Sequence, residues 1–307
     1  MPFTQTNKTY YLMTQEYLDK LQKKTLETLK FTIDFFERHN LRYFAYGGTC
    51  LGAVRHHGMI PWDDDVDLLM PYDDYLKLLS IKEELNTSGS YKLLTPETPG
   101  YYDPVCRITD KDTTIWRYYL NPIVFGTQID IFPLYETNIE DNSALENMLN
   151  KNLELTWRYQ RANQKYSWVN FLENIKHKHL RGLLRNVKWA WSTRNVDKYN
   201  QELKEFQSTL NQPGGKRFVN FASYVYGLET YEKDWFAEYI EMPFADFKIR
   251  VPKGYDGYLK MVFKDYMQLP PEEKRKPTHG CYYINLSEGL TIDEVRERIR
   301  KGETRVL

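Results

Sequence analysis

The sequence predicts a mixed α/β (α+β) fold, a sheet flanked by helices, with an additional mostly helical region. Two hydrophobic patterns support this prediction, because helical spacing and strand-like alternation follow each other three times within the first 140 residues. Farther along the chain, helical spacing dominates. We therefore expect a core at residues 1–140 and, at residues 141–307, a mostly helical region that ends in further elements of the site.

The first three elements can be assigned in order. Apolar residues recur at helical spacing over residues 14–39, which predicts a long amphipathic helix. The run LRYFAY at 41–46 is apolar and aromatic, and it ends at Gly47 and Gly48, which predicts a strand entering a tight turn. The segment 49–58 then predicts a short helix closed by glycine.

The next strand is acidic. Pro61 and Trp62 lead into an acidic loop that becomes the alternating run DVDLLMP at 65–71, which predicts a strand stopped by proline. A second amphipathic helix is expected over 72–85. The alternating run GTQIDIFPL at 126–134 predicts another strand of the same sheet.

The composition indicates a globular protein and excludes several classes. Lys plus Arg equals Asp plus Glu, at 42 each, so no net charge attracts nucleic acid, and we expect no nucleic-acid partner. The start of the sequence has no basic stretch followed by an apolar one, and about 18 apolar residues never run together, so we expect a cytoplasmic chain. Three cysteines without close pairing predict neither a disulfide framework nor a structural zinc site.

The acidic strand carries the pattern with the most chemical information. If residues 65–69 are extended, Asp65 and Asp67 project from one face while Val66 and Leu68 enter the core. Two carboxylates about 7 Å apart along a strand repel each other unless a cation lies between them. The pattern therefore predicts a divalent metal site at this strand.

A neighbouring strand offers a third carboxylate. Asp130 stands between two isoleucines, where an unpaired charge is costly, so we expect it to face the same metal. Gly47 and Gly48 allow backbone N–H groups to approach an anion at the start of a helix, and phosphate is the natural anion beside magnesium. Arg55, near the end of that helix, could neutralise charge on a phosphoryl group.

Other interpretations of the acidic run are weaker. Asp63, Asp65 and Asp67 occupy the first, third and fifth positions of an EF-hand calcium loop, but Leu68 and Asp74 stand where that loop needs glycine and glutamate. A solvated acidic loop would not need the alternation of the run. We therefore favour the metal-binding strand.

The run GGTCLGAVRHHGMIPWDDDVDLLMPYDDY at 47–75 closely resembles the signature of the LicD family of phosphocholine transferases, whose core fukutin-related transferases share. The resemblance continues at IDIFPL (129–134) and in VPKGYDGYLKMVFKDYMQLPPEEKR (251–275). It implies a nucleotidyltransferase-type fold, with residues 1–140 as the catalytic core. It also implies magnesium, with manganese as a possible substitute, and transfer of phosphocholine from CDP-choline to a sugar hydroxyl. The acceptor would be a surface glycan of the teichoic acid or lipopolysaccharide type, or its lipid-linked precursor.

The resemblance also implies roles for individual residues. It assigns metal binding and catalysis to Asp65, Asp67 and Asp130, with Asp130 either a metal ligand or the base. Substrate-binding positions are Gly47, Gly48, Thr49, Arg55, Trp62 and Lys253. One departure is visible at 263–265, where this chain has Phe-Lys-Asp and the family often has Tyr-Gly-Asp.

Choline would need an aromatic cage around its quaternary ammonium group. The sequence offers several candidates without choosing among them: Trp62, Tyr101, Tyr102, Trp116, Tyr118 and Tyr119. Three alternatives stay open: a nucleotidyltransferase that uses an NTP, a transferase that uses another CDP-alcohol such as CDP-ribitol, and an inactive binding module. Retention of all three carboxylates disfavours the module.

Residues 176–194 form a basic segment with interspersed apolar side chains. The segment KHKHLRGLLRNVKWAWSTR carries six Lys and Arg residues and no acidic residue. Basic amphipathic helices with tryptophan suit anionic lipid surfaces, so a peripheral contact with the inner membrane face is one expectation. The alternative is a helix packed by its leucines with a solvated basic face.

Overall fold

The computed structural model of the chain describes residues 14–101, 103–117, 123–163, 171–172, 175, 180–192, 195–222 and 227–303; within 180–192, side chains 181, 185, 186, 189 and 192 are not described. The predicted long helix is α1, Gln15–Arg38. Thr14 caps it by accepting a hydrogen bond from the backbone N–H of Tyr17. Its buried face packs against the central sheet, as the helical spacing predicted.

A mixed sheet forms the centre of the molecule. Its strands are β1 (Phe44–Ala45), β2 (Asp67–Pro71), β3 (Tyr91–Leu94), β4 (Cys106–Asp110) and, after a separate short strand β5 (Thr114–Trp116), β6 (Gln128–Thr137). The spatial order is β1-β2-β6-β4-β3. Strands β2 and β6 pair in parallel, and the other neighbours pair antiparallel. The predicted mixed α/β architecture is therefore confirmed.

Helices connect these strands. Helix α2 is Gly47–Arg55, so it begins two residues earlier than predicted and includes the glycine pair in its first turn. The single helix expected over 72–85 is two helices, α3 (Tyr72–Ser80) and α4 (Lys82–Thr87), which meet at Ile81. The boundary at Ile81 is only one residue long, and the apolar spacing continues across it, which is why the sequence pattern did not reveal it.

The second half of the chain contains more helix than strand, and part of it returns to the sheet. Helices α5 (Asn142–Asn163), α6 (Leu180–Ser192) and α7 (Val196–Gln207) come first. The strands β7 (Arg217–Asn220) and β8 (Glu229–Glu232) then extend the sheet, because β7 pairs with the C-terminal end of β6. Helical spacing alone had not revealed these two strands.

The remaining elements pack around the same core. A 3₁₀ turn at Lys233–Phe236 precedes the hairpin of β9 (Tyr239–Phe244) and β10 (Phe247–Pro252), and α8 (Tyr255–Phe263) follows it. A second 3₁₀ turn, Glu272–Lys274, leads to β11 (Tyr283–Asn285), which pairs with β5, and α9 (Ile292–Arg300) comes last. One large cluster of buried side chains joins α1, α2, β2, β6, β10 and α8.

Two further predictions can be compared with the structure. The three cysteines, Cys50, Cys106 and Cys281, are free and buried, as expected of packed thiols. In the described part of the chain, every helix is too short or too polar to span a bilayer.

Candidate active site

The turn from β1 into α2 brings the backbone close to the acidic segment. Gly47 has a φ of +50°, which glycine adopts without strain. Its N–H donates to the phenolic oxygen of Tyr258 over 2.7 Å, so this donor is used within the protein. A Cβ on Gly48 would lie 2.5 Å from Oδ2 of Asp63, so only glycine lets helix and carboxylate lie this close.

Thr49 fixes the first residue of the acidic strand. Its hydroxyl accepts a hydrogen bond from the backbone N–H of Asp67 over 2.9 Å, and the Asp67 carbonyl accepts from the N–H of Tyr46 over 3.0 Å. Thr49 is buried, so water does not compete for this contact. Both backbone groups of Asp67 are therefore held, which orients its carboxylate toward the cavity.

Three charged side chains form a row across the sheet. Asp67 on β2 lies opposite Asp130 on β6, and Asp130 lies opposite Arg107 on β4. Asp130 accepts two hydrogen bonds from Arg107, from Nε over 2.5 Å and from Nη2 over 2.8 Å. The same guanidinium lies 2.8 Å from a carboxylate oxygen of Asp103. Asp130 is thus held in a bidentate ion pair, the geometry in which arginine binds carboxylates most strongly.

A buried aspartate joins the acidic segment to the C-terminal part of the chain. One carboxylate oxygen of Asp64 accepts a hydrogen bond from the backbone N–H of His279 over 3.2 Å. The other lies 3.0 Å from Nδ1 of the His279 ring. Arg117 lies 3.9 Å from the same carboxylate. Asp65 is 3.3 Å from His279 Nδ1. The ligand atoms of Asp64, Asp65 and His279 all lie within 4.8 Å of one another, which could hold a metal ion.

The electrostatics of the acidic side chains fit a cation. Burial, together with repulsion from neighbouring carboxylates, raises the pKa of Asp63 and of Asp67 well above the usual aspartate value. Burial also raises the pKa of Asp65, although positive charge on His279 opposes this shift. Neighbouring carboxylates repel one another when all are ionised, and a cation between them would relieve this repulsion. Carboxylate oxygens are also the ligands that a hard divalent cation prefers. Among the described residues, Asp65, Asp67 and Asp130 line one cavity, but their ligand atoms do not form a group as tight as that of Asp64, Asp65 and His279.

The cavity has a volume of about 880 Å³ and is open on one side. Its floor is acidic, with Asp63, Asp65, Asp67, Asp103 and Asp130. Its aromatic lining consists of Tyr46, Trp62, Phe132, Phe263 and Tyr266. Lys274, Arg275 and Lys276 also line it, and the Arg275 guanidinium lies 5.7 Å from the centre of the Trp62 ring. The arrangement can bind a molecule that has an anionic part, a metal-binding part and an apolar or cationic part.

The predicted substrate-binding residues differ in their positions. Trp62 lines the cavity, as does Gly48. Arg55 lines it too, but its guanidinium donates to the backbone carbonyls of Tyr266 and Gln268, over 2.5 Å and 3.2 Å. Arg55 therefore holds the loop after α8. Lys253 lies outside this cavity, where it forms an exposed ion pair with Glu238 over 2.7 Å.

The aromatic cage candidates can be separated in part. Tyr101 and Trp116 are buried and do not line the cavity. Tyr102, Tyr118 and Tyr119 lie outside the described residues. Of the candidates that the structure describes, Trp62 is the one on the cavity wall.

Among the residues of the site that sequence reasoning missed are Asp103, Arg107, Tyr258 and His279. Tyr258 and His279 act through partners more than 200 positions away, Gly47 and Asp64. Arg107 carried one local signal, since an arginine between Cys106 and Ile108 in an otherwise apolar stretch needs a buried counter-charge.

Part of the chain matches a family model, and several known proteins are similar to it in sequence. Residues 40–181 match the family model described as LicD/FKTN/FKRP, nucleotidyltransferase domain. The lipopolysaccharide cholinephosphotransferase LicD of Haemophilus influenzae is 26% identical over 260 residues, which cover 80% of this chain and 91% of that protein. Human ribitol 5-phosphate transferase FKRP is 44% identical over 48 residues, or 16% of this chain and 10% of FKRP. An uncharacterized protein of Rickettsia prowazekii is 35% identical over 92 residues, or 27% of this chain and 35% of that protein.

Proposed function

The chain is a phosphotransferase whose nucleotidyltransferase domain belongs to the LicD family, and from this premise we propose that it transfers phosphocholine from CDP-choline to a sugar hydroxyl of a surface glycan or its lipid-linked precursor. The observation that carries the proposal is the meeting of Asp65, Asp67 and Asp130 in one cavity with an aromatic wall. The similarity to LicD supports lipopolysaccharide as the acceptor class. The three free cysteines suit a reducing compartment, so we place the reaction in the cytoplasm.

The proposed chemistry is a single displacement at the choline-bearing phosphorus. The acceptor hydroxyl oxygen forms a bond to this phosphorus, the bond to the bridging oxygen breaks, and CMP leaves with that oxygen. A magnesium ion, with manganese as a possible substitute, would be held by Asp65 and Asp67 with Asp130, and would neutralise charge on the pyrophosphate. The hydroxyl proton passes to a carboxylate of the site.

Asp130 is held in place by the neighbouring strand. Both of its oxygens accept hydrogen bonds from Arg107, which fixes the orientation of the carboxylate. We therefore propose that Asp130 positions the metal. Asp63 is not among the proposed metal ligands, and burial and neighbouring carboxylates raise its pKa, so it is the better candidate to accept the proton.

We propose that the aromatic wall binds the alcohol part of the donor. The faces of Trp62, Phe263 and Tyr266 can attract a quaternary ammonium group, because each ring has a negative face. Lys274 and Lys276, which are exposed and also line the cavity, suit the nucleotide phosphates. Residues 1–140 would thus carry the catalytic carboxylates and Trp62, and residues 141–307 would supply the rest of the proposed substrate-side wall.

The test is incubation of the full chain with CDP-choline, magnesium and a lipopolysaccharide acceptor, with identification of all phosphorus-containing products. We expect CMP and a phosphocholine-modified acceptor, and neither product when Asp67→Asn replaces the wild type. Release of pyrophosphate from an NTP, with no reaction of CDP-choline, would support the nucleotidyltransferase alternative. The similarity to FKRP is the reason to test CDP-ribitol as well. Reaction with CDP-ribitol but not with CDP-choline would support the proposed displacement reaction and reject the proposed choline site.

A further inference from the structure

Helix α6 presents an apolar stripe to solvent. Leu180 is 75% exposed, Leu184 66%, Val187 62% and Trp191 69%. Their spacing of four, three and four residues places them on one side of the helix over three turns. Single exposed apolar residues are ordinary, but a continuous stripe of four large ones marks an interaction surface.

Packing within the chain does not explain this stripe. Helix α6 contacts α5. Gly182 is buried and lies on the side of α6 opposite the stripe, and Leu183, at the margin of the stripe, is half-buried. Of the leucines in this segment, Leu180 and Leu184 are thus exposed and Leu183 is half-buried. The structure therefore contradicts the alternative that the leucines serve only to pack the helix.

The charge of the segment identifies the partner. Residues 176–194 contain Lys176, Lys178, Arg181, Arg185, Lys188 and Arg194, and no aspartate or glutamate. Lys188 is exposed one turn after Leu184. A second copy of the same helix would bring two such basic segments together, which like-charge repulsion opposes. A surface that offers both negative charge and apolar depth is the interface of an anionic bilayer.

We propose that α6 is a peripheral membrane-binding helix that inserts Leu180, Leu184, Val187 and Trp191 into the interface of an anionic lipid surface. The basic residues of 176–194 attract the lipid headgroups, and the tryptophan ring suits the boundary between headgroups and acyl chains. This proposal is independent of the transferred group. It would bring the cavity to the surface on which a lipid-linked acceptor is held.

The test is co-sedimentation of the full chain with vesicles that contain either zwitterionic lipid alone or about one third anionic lipid. We expect binding to the anionic vesicles at low salt and its loss at high salt. Leu184→Ser and Lys188→Glu should each weaken binding at least about tenfold. The matched controls, Leu76→Ser on α3 and Lys23→Glu on α1, change exposed residues of the same types elsewhere and should bind like wild type.

Three results would overturn the proposal. The first is no binding to anionic vesicles at low salt by a wild-type protein that melts cooperatively. The second is equal weakening by the α6 variants and by their controls. The third is a concentration-dependent dimer in analytical ultracentrifugation that Leu184→Ser abolishes while vesicle binding is absent, since a second copy would then be the partner. Because the vesicles contain neither donor nor acceptor, a failure of membrane binding can be distinguished from a failure of the proposed transferase activity.

Discussion

Arg107 binds both carboxylate oxygens of Asp130, from the strand next to β6 and within the row that contains Asp67. A buried charge that loses its partner is strongly destabilising. We predict that Arg107→Gln lowers the free energy of unfolding by about 3–5 kcal/mol. Urea denaturation followed by circular dichroism measures this change.

The double variant Arg107→Gln/Asp130→Asn separates the structural role of the pair from its catalytic role. Removing both charges should recover part of the stability lost in Arg107→Gln, since the orphaned carboxylate is gone. It should not recover activity, because asparagine carries no negative charge for the metal that we propose Asp130 positions. A double variant as unstable as the single one would point to Asp103, and not Asp130, as the main partner of the arginine.

Asp65 and Asp67 are the residues on which the metal assignment depends. We expect Asp65→Asn and Asp67→Asn each to reduce turnover more than about 100-fold, because charge stabilisation by a metal is worth several kcal/mol and each 1.4 kcal/mol is tenfold. Steady-state kinetics at saturating magnesium measures this loss. Asp73→Asn, an exposed aspartate in the first turn of α3, is the control. Activity within about tenfold of wild type in either site variant would reject the assignment.

The raised pKa of Asp67 predicts how stability depends on pH in a metal-free buffer with EDTA. A carboxyl whose pKa is higher in the folded state than in the unfolded state lowers the free energy of unfolding. This cost is absent at a pH below the unfolded-state pKa and reaches its full size above the folded-state pKa. Asp67→Asn removes this cost. The variant should therefore match wild type near pH 4 and melt at a higher temperature than wild type at pH 8, by thermal denaturation.

Magnesium should cancel this difference. The ion binds the folded wild type, so millimolar magnesium at pH 8 should raise the melting temperature of the wild type more than that of Asp67→Asn. An equal rise in both proteins would mean that the ion binds elsewhere.

Gly48 is predicted to be irreplaceable for steric reasons. In Gly48→Ala the new Cβ would lie 2.5 Å from Oδ2 of Asp63, so the carboxylate or the start of α2 must move. We expect at least a tenfold loss of activity, comparable to other small displacements of a catalytic group. Gly58→Ala is the matched control, since its Cβ would meet its nearest atom at 3.5 Å, an ordinary contact. Similar activities in the two variants would contradict the close approach.

The hydroxyl of Thr49 can be tested without changing the size of the side chain. Thr49→Val leaves the backbone N–H of Asp67 buried and unpaired, which costs about 1–3 kcal/mol. Thr49→Ser keeps the acceptor and should retain most of the activity. Equal activity in the valine and serine variants would show that Asp67 is held by its strand pairing alone.

The predictable part of the fold is the part with a local signal. The long helix at 15–38 and the strands at 67–71 and 128–137 were anticipated because each has a clear period. Strand β4 was not, since only two of the five residues in its short sequence, CRITD, are apolar, although all five are buried. Among the later strands, β7 depends on a pairing with β6 and β11 on a pairing with β5, and no local pattern reveals either partner.

The same distinction applies to the site. The sequence could predict that Asp65, Asp67 and Asp130 face one cavity, because a carboxylate in an apolar strand is costly and therefore informative. Positions such as Arg107 and His279 could not be assigned a partner, since that requires strand order and the path of the C-terminal segment. The role of Arg55 differed for a related reason, because the carbonyls that it binds belong to residues more than 200 positions away.

The long strand β6 has a practical consequence for anyone who wishes to isolate the domain that matches the family model. Its first half pairs with β2 and β4, and its second half with β7, which lies beyond residue 181. A fragment of residues 40–181 would lose α1, expose the far end of β6 as an unpaired edge, and lack Tyr258 and His279. Exposed edges of this kind promote aggregation. The stretch that matches the family model is therefore shorter than the stretch that we expect to fold. Expression work should keep the chain from α1 to β11 intact.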